Sequence, residues 1–287
     1  MKANKSYLYA SAAVIVWGFS SLSITVLNAY WEGIQHIAYT FLLAAVFLFF
    51  TALKQNKLAE IKTYKTADFI IIFSLGFIGV FLYNVLNTYS YMFATGTEAA
   101  AINYLWPIWT IVFSMAILKE KITARKVFAV VLSFLGMLLV VTRGDAGSLF
   151  NANLFGVGQA FLCSVLYGLF SAVSKKMRYD KTTAALLYFI SSAAVAFISM
   201  YIFSAPPHFP AASGFYLMLV LRGVGQFGVG YTVWTLAIMG DTVKISNFVL
   251  ITPFIQFITL AVFMGEPIGP APIMGLAFIV GGALVAG

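Results

Sequence analysis

The stretch Asn103–Glu120, NYLWPIWTIVFSMAILKE, has a diverged second copy in Val249–Glu266, VLITPFIQFITLAVFMGE. In each copy a proline lies within a long apolar run, a glutamate follows the end of that run, and a glycine falls inside the next run. Three pairs of residues recur at a constant shift of 146 residues: Pro107 and Pro253, Glu120 and Glu266, and Gly136 and Gly282. This shift predicts two copies of one unit, residues 1–145 and residues 146–287.

The composition indicates that a lipid bilayer surrounds most of the chain. Hydrophobic residues make up 62% of it, charged residues make up 9%, and the mean hydropathy is +0.96. Soluble domains are about 45–50% apolar and about 25% charged, so we predict an all-α polytopic membrane protein. The single cysteine, Cys163, excludes an internal disulfide. The net charge of +8 comes from short basic clusters between apolar runs, which does not indicate nucleic-acid binding.

Ten apolar runs are long enough to cross a bilayer, which takes about 20 residues per helix. We place these predicted spans at residues 6–27, 33–53, 68–92, 97–118, 124–142, 153–174, 182–204, 213–239, 242–264 and 268–286. The first run is longer than the core of a signal peptide, so we expect it to remain as an uncleaved span.

The distribution of basic residues predicts the orientation of these spans. Of the 17 Lys and Arg residues, all but Arg143 and Arg222 fall in segments on the same side as the N-terminus. Cytoplasmic segments carry such an excess, so we expect both termini on the cytoplasmic side of the cell (inner) membrane. Each unit would hold five spans, an odd number, so the second unit would enter the membrane upside down. Glu120 has a lysine on each side, whereas Glu266 has none.

Several short motifs, taken in their order and spacing, carry a resemblance. They are Trp17–Gly18, the NYLWP stretch Asn103–Pro107, Glu120, Gly136, Pro253, Glu266 and Gly282. The whole chain resembles the ten-span EamA branch of the drug/metabolite transporter superfamily, and within it the exporters of aromatic and other neutral amino acids. The resemblance implies a basket of ten helices in which spans 1, 3, 4, 6, 8 and 9 surround a central cavity. Spans 5 and 10 would pack at the back. Small multidrug relatives carry a buried Glu in span 1, and the corresponding run Leu8–Val26 has no carboxylate.

The candidate substrate-binding residues lie on the polar faces of predicted spans, where a cavity-lining helix places them. They are Trp17, Ser21, Tyr83, Asn84, Asn87, Asn103, Tyr104, Trp106, Tyr167, Arg222, Gln226 and Trp234. A Trp or Tyr in the middle of a span needs a partner for its N–H or O–H group, which a hydrated cavity supplies. The alternative for hydroxyl groups is a hydrogen bond within the helix bundle.

Two features admit two interpretations each. Arg222 is the one ionisable side chain well inside a predicted span, and burial of an Arg is costly. It could attract a substrate carboxylate, or it could pair with carbonyl groups or a phenol to hold helices together. Pro107 and Pro253 each remove a backbone hydrogen bond. They could act as a pair of hinges, which the resemblance favours, or as static kinks that shape the cavity.

We expect a secondary transporter that exports small neutral or zwitterionic organic solutes, most of all amino acids, by alternating access. A carrier of sugar phosphates or nucleotide sugars is the first alternative and would need several basic groups in the cavity. A multidrug cation carrier is the second, because aromatic faces attract cations. An intramembrane enzyme is a remote alternative, since the sequence has no nucleophile–base pair or metal-ligand cluster. No cofactor or metal is expected, and the expected partners are a small-molecule substrate and the lipid bilayer. A monomer would suffice, a dimer is possible, and the energy coupling stays open.

Overall fold

The computed structural model describes residues 3–117, 123–142, 144–145, 153–177, 179–237 and 249–286, and the regular elements within these ranges are helical. The first half holds α1 (Ala3–Gly18), α2 (Ser20–Asn28), α3 (Gly33–Lys54), α4 (Thr66–Gly76), α5 (Tyr83–Phe93), α6 (Gly96–Asn103), α7 (Trp106–Ile117) and α8 (Ala124–Thr142). The second half holds α9 (Leu154–Lys176), α10 (Lys181–Phe203), α11 (Ser213–Val220), α12 (Tyr231–Ala237), α13 (Thr252–Met264) and α14 (Pro270–Ala286).

These helices form a multi-pass membrane fold. Among the described residues, six helical stretches are long and apolar enough to cross a bilayer: Tyr7–Asn28, Gly33–Lys54, Thr66–Phe93, Gly96–Ile117, Leu154–Ser174 and Lys181–Phe203. Three shorter apolar helices, Val127–Val140, Thr252–Met264 and Pro270–Gly282, fall within the predicted spans 5, 9 and 10. The predicted span 8 is the helical stretch from Ser213 to Ala237. The first residues of the predicted span 9 and Glu120 lie outside the described residues.

Several spans that the sequence predicts as single helices are interrupted. A turn at Phe19 separates α1 from α2, and a turn at residues 104–105 separates α6 from α7. Two π-helical segments, Phe77–Leu82 and Leu221–Gly230, replace α-helix in the predicted spans 3 and 8. We call them the first and the second π segment. Such segments are rare and occur often at functional sites.

Gly79 shows what the first π segment accommodates. A Cβ atom added at this position would lie 2.1 Å from Cγ of Phe170 in α9. Only a glycine therefore lets the aromatic ring of Phe170 lie directly against the helix backbone. The contact brings α9 close to the middle of the predicted span 3.

The main apolar core lies between α3 and α10. Phe41 packs edge-on against Phe189 at a ring-centroid distance of 5.6 Å, and both rings are buried. Leu48 and Leu186 extend this core along the same two helices. Burial of apolar side chains does not favour folding in lipid as it does in water, so tight packing between helices supplies much of the stability.

A second seam joins α8 and α14 through small residues. A Cβ added at Gly136 would lie 2.4 Å from the carbonyl oxygen of Gly275, and one added at Gly282 would lie 2.6 Å from that of Ala129. Small residues allow such close approach of helices in membranes. Spans 5 and 10 therefore pack against each other, as the resemblance implies.

The two ends of the bundle are held by different contacts. At the end we call the basic end, Lys57 forms an ion pair with Asp180 at 2.9 Å, which ties the two halves together. At the opposite end, Trp31 Nε1 donates to the carbonyl of His208 at 2.6 Å. There the backbone N–H of Thr97 also donates to Glu266 Oε1 at 2.8 Å. Glu266 thus places a carboxylate at the N-terminus of α6, where the helix dipole favours negative charge.

A candidate solute-binding cavity

A cavity of about 110 Å³ lies in the middle of the bundle, between helices of both halves. Its lining consists of Trp17, Ser20, Gly79, Val80, Tyr83, Asn84, Asn87, Asn103, Tyr104, Trp106, Tyr167, Phe170, Phe189, Gln226, Phe227, Tyr231, Val249 and Gln256. These residues come from the predicted spans 1, 3, 4, 6, 8 and 9, as the resemblance implies, and from Phe189 of span 7. Ligand pockets commonly measure about 300–1,000 Å³, so this cavity is smaller than a typical ligand pocket.

Aromatic rings form one wall of the cavity. Tyr83 and Tyr167 lie 4.7 Å apart between ring centroids, with an angle of 35° between the ring planes. Trp106 meets Tyr167 edge-on at 5.2 Å, and Phe170 continues the cluster at 5.7 Å from Tyr167. Edge-on and tilted pairs are the favoured geometries of aromatic rings. The faces that remain open can hold a flat solute or a cationic group.

Amide side chains form a second wall, and hydrogen bonds fix their orientation. Asn103 Nδ2 donates to the hydroxyl of Tyr83 at 3.2 Å, and the thiol of Cys163 donates to Asn103 Oδ1 at 3.3 Å. Asn84 Nδ2 donates to the carbonyl of Val80 at 2.8 Å. Buried amides are costly unless they find partners. Here helix carbonyls and neighbouring side chains supply these partners.

A set of hydrogen bonds beside the cavity links helices of both halves. Ser21 Oγ shares a hydrogen bond of 2.7 Å with the hydroxyl of Tyr91 and donates to Gln256 Oε1 at 3.0 Å. Gln256 Nε2 donates to the carbonyl of Trp17 at 3.0 Å, and Trp17 Nε1 donates to the carbonyl of Gln226 at 2.9 Å. These bonds join α1, α2, α5, α13 and the second π segment. We call this set of hydrogen bonds the closure.

The structure brings most of the candidate substrate-binding residues together in this lining. They are Trp17, Tyr83, Asn84, Asn87, Asn103, Tyr104, Trp106, Tyr167 and Gln226. Ser21, Trp234 and Arg222 lie outside it. Trp234 packs behind Trp17 at 5.6 Å between ring centroids, and Ser21 belongs to the closure described above. A role in substrate binding stays a prediction for all of these residues.

Arg222 lies behind the cavity wall and is only 1% exposed. Its Nη2 donates to Asn84 Oδ1 at 3.3 Å and to Thr88 Oγ1 at 3.4 Å. Its guanidinium carbon lies 5.0 Å from the ring centroid of Phe227. Asn84 and Phe227 both line the cavity, so one layer of side chains separates the guanidinium from it.

The two prolines lie at the starts of helices. Pro107 is the second residue of α7, which follows the turn at residues 104–105. Pro253 is in the first turn of α13, which follows a 3₁₀ turn at Val249–Ile251. The missing N–H costs no helical bond in a first turn. Each proline thus follows an interruption of its predicted span and removes no bond from the helix that contains it, and whether it acts as a hinge or as a static kink stays a prediction.

Other lining residues were absent from the candidate set. Ser20, Tyr231 and Gln256 are polar residues in the middle of predicted spans, so the same criterion could have included them. Phe170, Phe189, Phe227, Val249, Val80 and Gly79 gave no signal, because apolar side chains face lipid, core and cavity alike in a membrane protein.

Residues 4–142 match the EamA-like transporter family, and this segment of the chain belongs to that family of membrane proteins within the drug/metabolite transporter superfamily. A Clostridium kluyveri protein named uncharacterized transporter is 23% identical over 98% of this chain and 93% of its own length. The aromatic amino acid exporter YddG of Ancylobacter novellus is 24% identical over 72% of each chain. A solved structure with 21% identity has a TM-score of 0.74 and covers 99% of this chain and 96% of that one.

Proposed function

We propose that this protein is a secondary transporter that exports small neutral or zwitterionic organic solutes, amino acids and aromatic ones in particular, by alternating access. The observation that carries the proposal is the central cavity with its aromatic and amide lining. Its lining residues include no Lys, Arg, Asp or Glu within the part of the chain that the structure describes. The YddG relative, named an aromatic amino acid exporter, is consistent with this substrate class.

The chemistry of the lining favours flat and dipolar solutes. Asn and Gln side chains offer donors and acceptors together, so they can bind both the ammonium and the carboxylate group of an amino acid. The faces of Tyr83, Trp106 and Tyr167 suit an aromatic side chain by stacking or edge contact. Sugar phosphates and nucleotide sugars carry several negative charges, and an uncharged lining disfavours them.

Contacts related by the 146-residue shift support the proposal of two inverted repeats. Ser133 Oγ donates to the carbonyl of Ile279 at 3.2 Å, and these two residues are themselves 146 positions apart. The contact of Gly136 with Gly275 corresponds, under the same shift, to that of Gly282 with Ala129. Symmetry-related halves can exchange conformations, which opens a shared cavity to either side in turn. We infer ten spans from the same repeat, and cytoplasmic termini from the excess of Lys and Arg in the segments on the side of the N-terminus.

The first experiment measures counterflow of the twenty amino acids, with a sugar phosphate and an organic cation added, into proteoliposomes. We expect saturable counterflow for aromatic and other neutral amino acids. Saturable exchange restricted to the sugar phosphate or the cation would overturn the substrate assignment. The absence of saturable exchange for every solute would contradict a carrier.

A pair of variants links transport to the cavity. Tyr167→Ala removes a ring from the aromatic wall, whereas Tyr201→Ala removes a ring that is 88% exposed and points away from the bundle. We expect at least a tenfold loss in transport efficiency for Tyr167→Ala, since one lost ring contact and its packing are worth about 1.4 kcal/mol or more. Tyr201→Ala should transport like the wild type. Equal effects of both variants would show that the cavity is not the binding site.

A further inference from the structure

The strongest unexplained feature outside the cavity is a pair of buried nitrogen bases, Arg222 and His36. Arg222 belongs to the second π segment and His36 to the first turns of α3. The side chain of His36 is 0% exposed and that of Arg222 is 1% exposed. His36 Nε2 shares a hydrogen bond of 2.8 Å with Asn28 Oδ1, and Asn28 Nδ2 donates to the carbonyl of Thr88 at 3.1 Å. Since Thr88 also accepts from Arg222, one hydrogen-bonded network contains both bases.

This network has donors left over. Nε–H and Nη1–H of Arg222 have no hydrogen-bond partner among the described residues. Nδ1 of His36 has none either, but because Nε2 donates to Asn28 Oδ1, Nδ1 of the neutral ring is an acceptor and offers no hydrogen bond to an anion. The bonds that Nη2 does make, at 3.3 and 3.4 Å, are long for a guanidinium donor. A buried polar group without partners is rare and indicates either an unseen ligand or stored strain.

The charge of Arg222 is also unmatched. Within the ranges that the structure describes, the single ion pair joins Lys57 to Asp180 at the basic end, so no described carboxylate neutralises Arg222. The neighbouring side chains Asn84, Thr88 and Phe227 are uncharged. A buried charge is normally paired or bound to a ligand of opposite sign. A mobile anion would complete this site.

We propose that Arg222, held beside His36 by this network, forms an anion-binding site that takes the carboxylate group of a solute, or a free monovalent anion such as chloride, between the cavity and the opposite end. Asn84 connects the cavity to the anion site, because it lines the cavity and its Oδ1 accepts a hydrogen bond from Arg222. Arg222 lies one turn nearer the opposite end than Gln226, and Thr88 one turn nearer than Asn84. A solute that leaves the cavity in that direction would exchange its amide contacts for a guanidinium contact.

The part of this inference that concerns a solute carboxylate rests on the proposed function. The part that concerns free chloride does not, since chloride would bind regardless of which solute the protein transports. For solutes it narrows the substrate class to those that carry a carboxylate. The uncharged lining of the cavity does not by itself exclude an aromatic amine.

The test compares L-phenylalanine with phenethylamine, which lacks the carboxylate, and chloride with gluconate as the bulk anion. Binding is measured by titration calorimetry and by the shift in Tm of the purified protein in lipid nanodiscs. In the wild type we expect L-phenylalanine to bind at least about tenfold more tightly than phenethylamine, the factor of one hydrogen bond to a charged group. If the occupant is a free anion, chloride should raise the Tm relative to gluconate instead.

Arg222→Gln should abolish the preference that the wild type shows, either for L-phenylalanine over phenethylamine or for chloride over gluconate. Arg222→Lys, which keeps the charge, should retain part of it. Gln35→Met is the matched control, because Gln35 precedes His36 but bonds to Ser204 and Ala205 at the opposite end. It should leave both preferences intact.

The outcomes separate this inference from the proposed function. Equal preferences in wild type and Arg222→Gln overturn the anion site, while counterflow of amino acids would still support the transporter. Chloride stabilisation that depends on Arg222, without any amino acid counterflow, supports the site and contradicts the proposed substrates. If Arg222→Gln does not fold, the wild type decides, since the lack of both preferences there overturns the site.

Discussion

The two π segments occupy equivalent positions in the predicted repeat, yet they bring different chemistry to the cavity. A shift of 146 residues maps Phe77–Leu82 onto residues 223–228, inside Leu221–Gly230. Val80 and Gln226 are equivalent under this shift, and both line the cavity. The counterpart of Arg222 is Gly76. Under the proposed repeat, the comparison teaches that both halves place a π segment at the same position, whereas only the second π segment carries an amide and a guanidinium.

The largest expected effect tests how tightly each segment is packed. Gly79 and Gly225 are equivalent, but a Cβ at Gly79 would lie 2.1 Å from Phe170, and one at Gly225 would lie 3.1 Å from the end of the Leu221 side chain. Gly79→Ala should lower the free energy of unfolding by about 1–3 kcal/mol through overpacking. Gly225→Ala should change it by less than about 1 kcal/mol, because Leu221 can move. Unfolding in mixed detergent measures both, and equal losses would contradict the difference.

The next prediction concerns the amide that the first segment lacks. Gln226 Nε2 donates to Ser23 Oγ at 2.8 Å, and a hydrogen bond inside a membrane protein is worth about 0.6–1.7 kcal/mol. Gln226→Met should lower stability by this amount and also weaken amino acid binding. Gln35→Met removes a similar bond away from the cavity, so it should lower stability alone. Loss of binding in both variants would show that stability, not the amide, accounts for the effect.

A third prediction addresses the glutamates of the repeat. Glu266 accepts from the N–H of Thr97 at the start of α6, so Glu266→Gln keeps an acceptor but removes the charge. Stability should fall by about 0.3–1 kcal/mol, the usual value of a charge at a helix N-terminus. Thermal unfolding at low and high salt checks this, because salt screens the effect. The repeat predicts a similar loss of stability for Glu120→Gln. An unchanged Tm in that variant would contradict an equivalent role for Glu120 and Glu266.

The smallest effect is expected at the contact that joins the halves at the basic end. Burial would raise the pKa of Asp180, but the hydrogen bond from Lys57 and the backbone N–H groups of Thr182 and Thr183 outweigh it and lower the pKa below its usual value of 3.8. A lowered pKa means that the ionised Asp180 stabilises the fold above that usual value and that this contribution is lost as pH falls through the lowered pKa. Asp180→Asn should therefore be slightly less stable than the wild type at pH 7.

The pH dependence supplies the control for this last prediction. Asn can still cap α10, so the variant loses the charge and little else. The difference in Tm between the wild type and Asp180→Asn should shrink as the pH is lowered below about 4. A difference that stays constant down to pH 3 would contradict the assignment to the ionised carboxylate.

The helices were predictable because bilayer thickness sets their length. The run at residues 33–53 became Gly33–Lys54, and the run at residues 182–204 became Lys181–Phe203. Tyr83 and Asn87 were assigned to one helix face by their spacing of four, and both line the cavity. Apolar periodicity and polar spacing are local properties, so a single sequence carries them.

Arg222 shows where this reasoning fails. A spacing of four from Gln226 places it on the cavity face of an α-helix, but a π-helix pairs residues five apart, so each residue turns through a smaller angle. Four residues are then slightly less than one full turn, whereas they are slightly more than one in an α-helix, so Arg222 moves to the other flank of the face that Gln226 occupies. No hydrophobic pattern marks a π turn, and the packing of Phe170 on Gly79 shows that such segments depend on distant parts of the chain.

The seam between α8 and α14 sets a condition on how the molecule moves. The two backbones approach closely at Gly136 and Gly282, and the side chains in the seam, such as Ser133, are short. We infer that these two helices would move as one rigid body in the proposed transport cycle. They would then form the fulcrum about which the helices around the cavity tilt, and a bulky residue placed there would stop the motion without touching the solute.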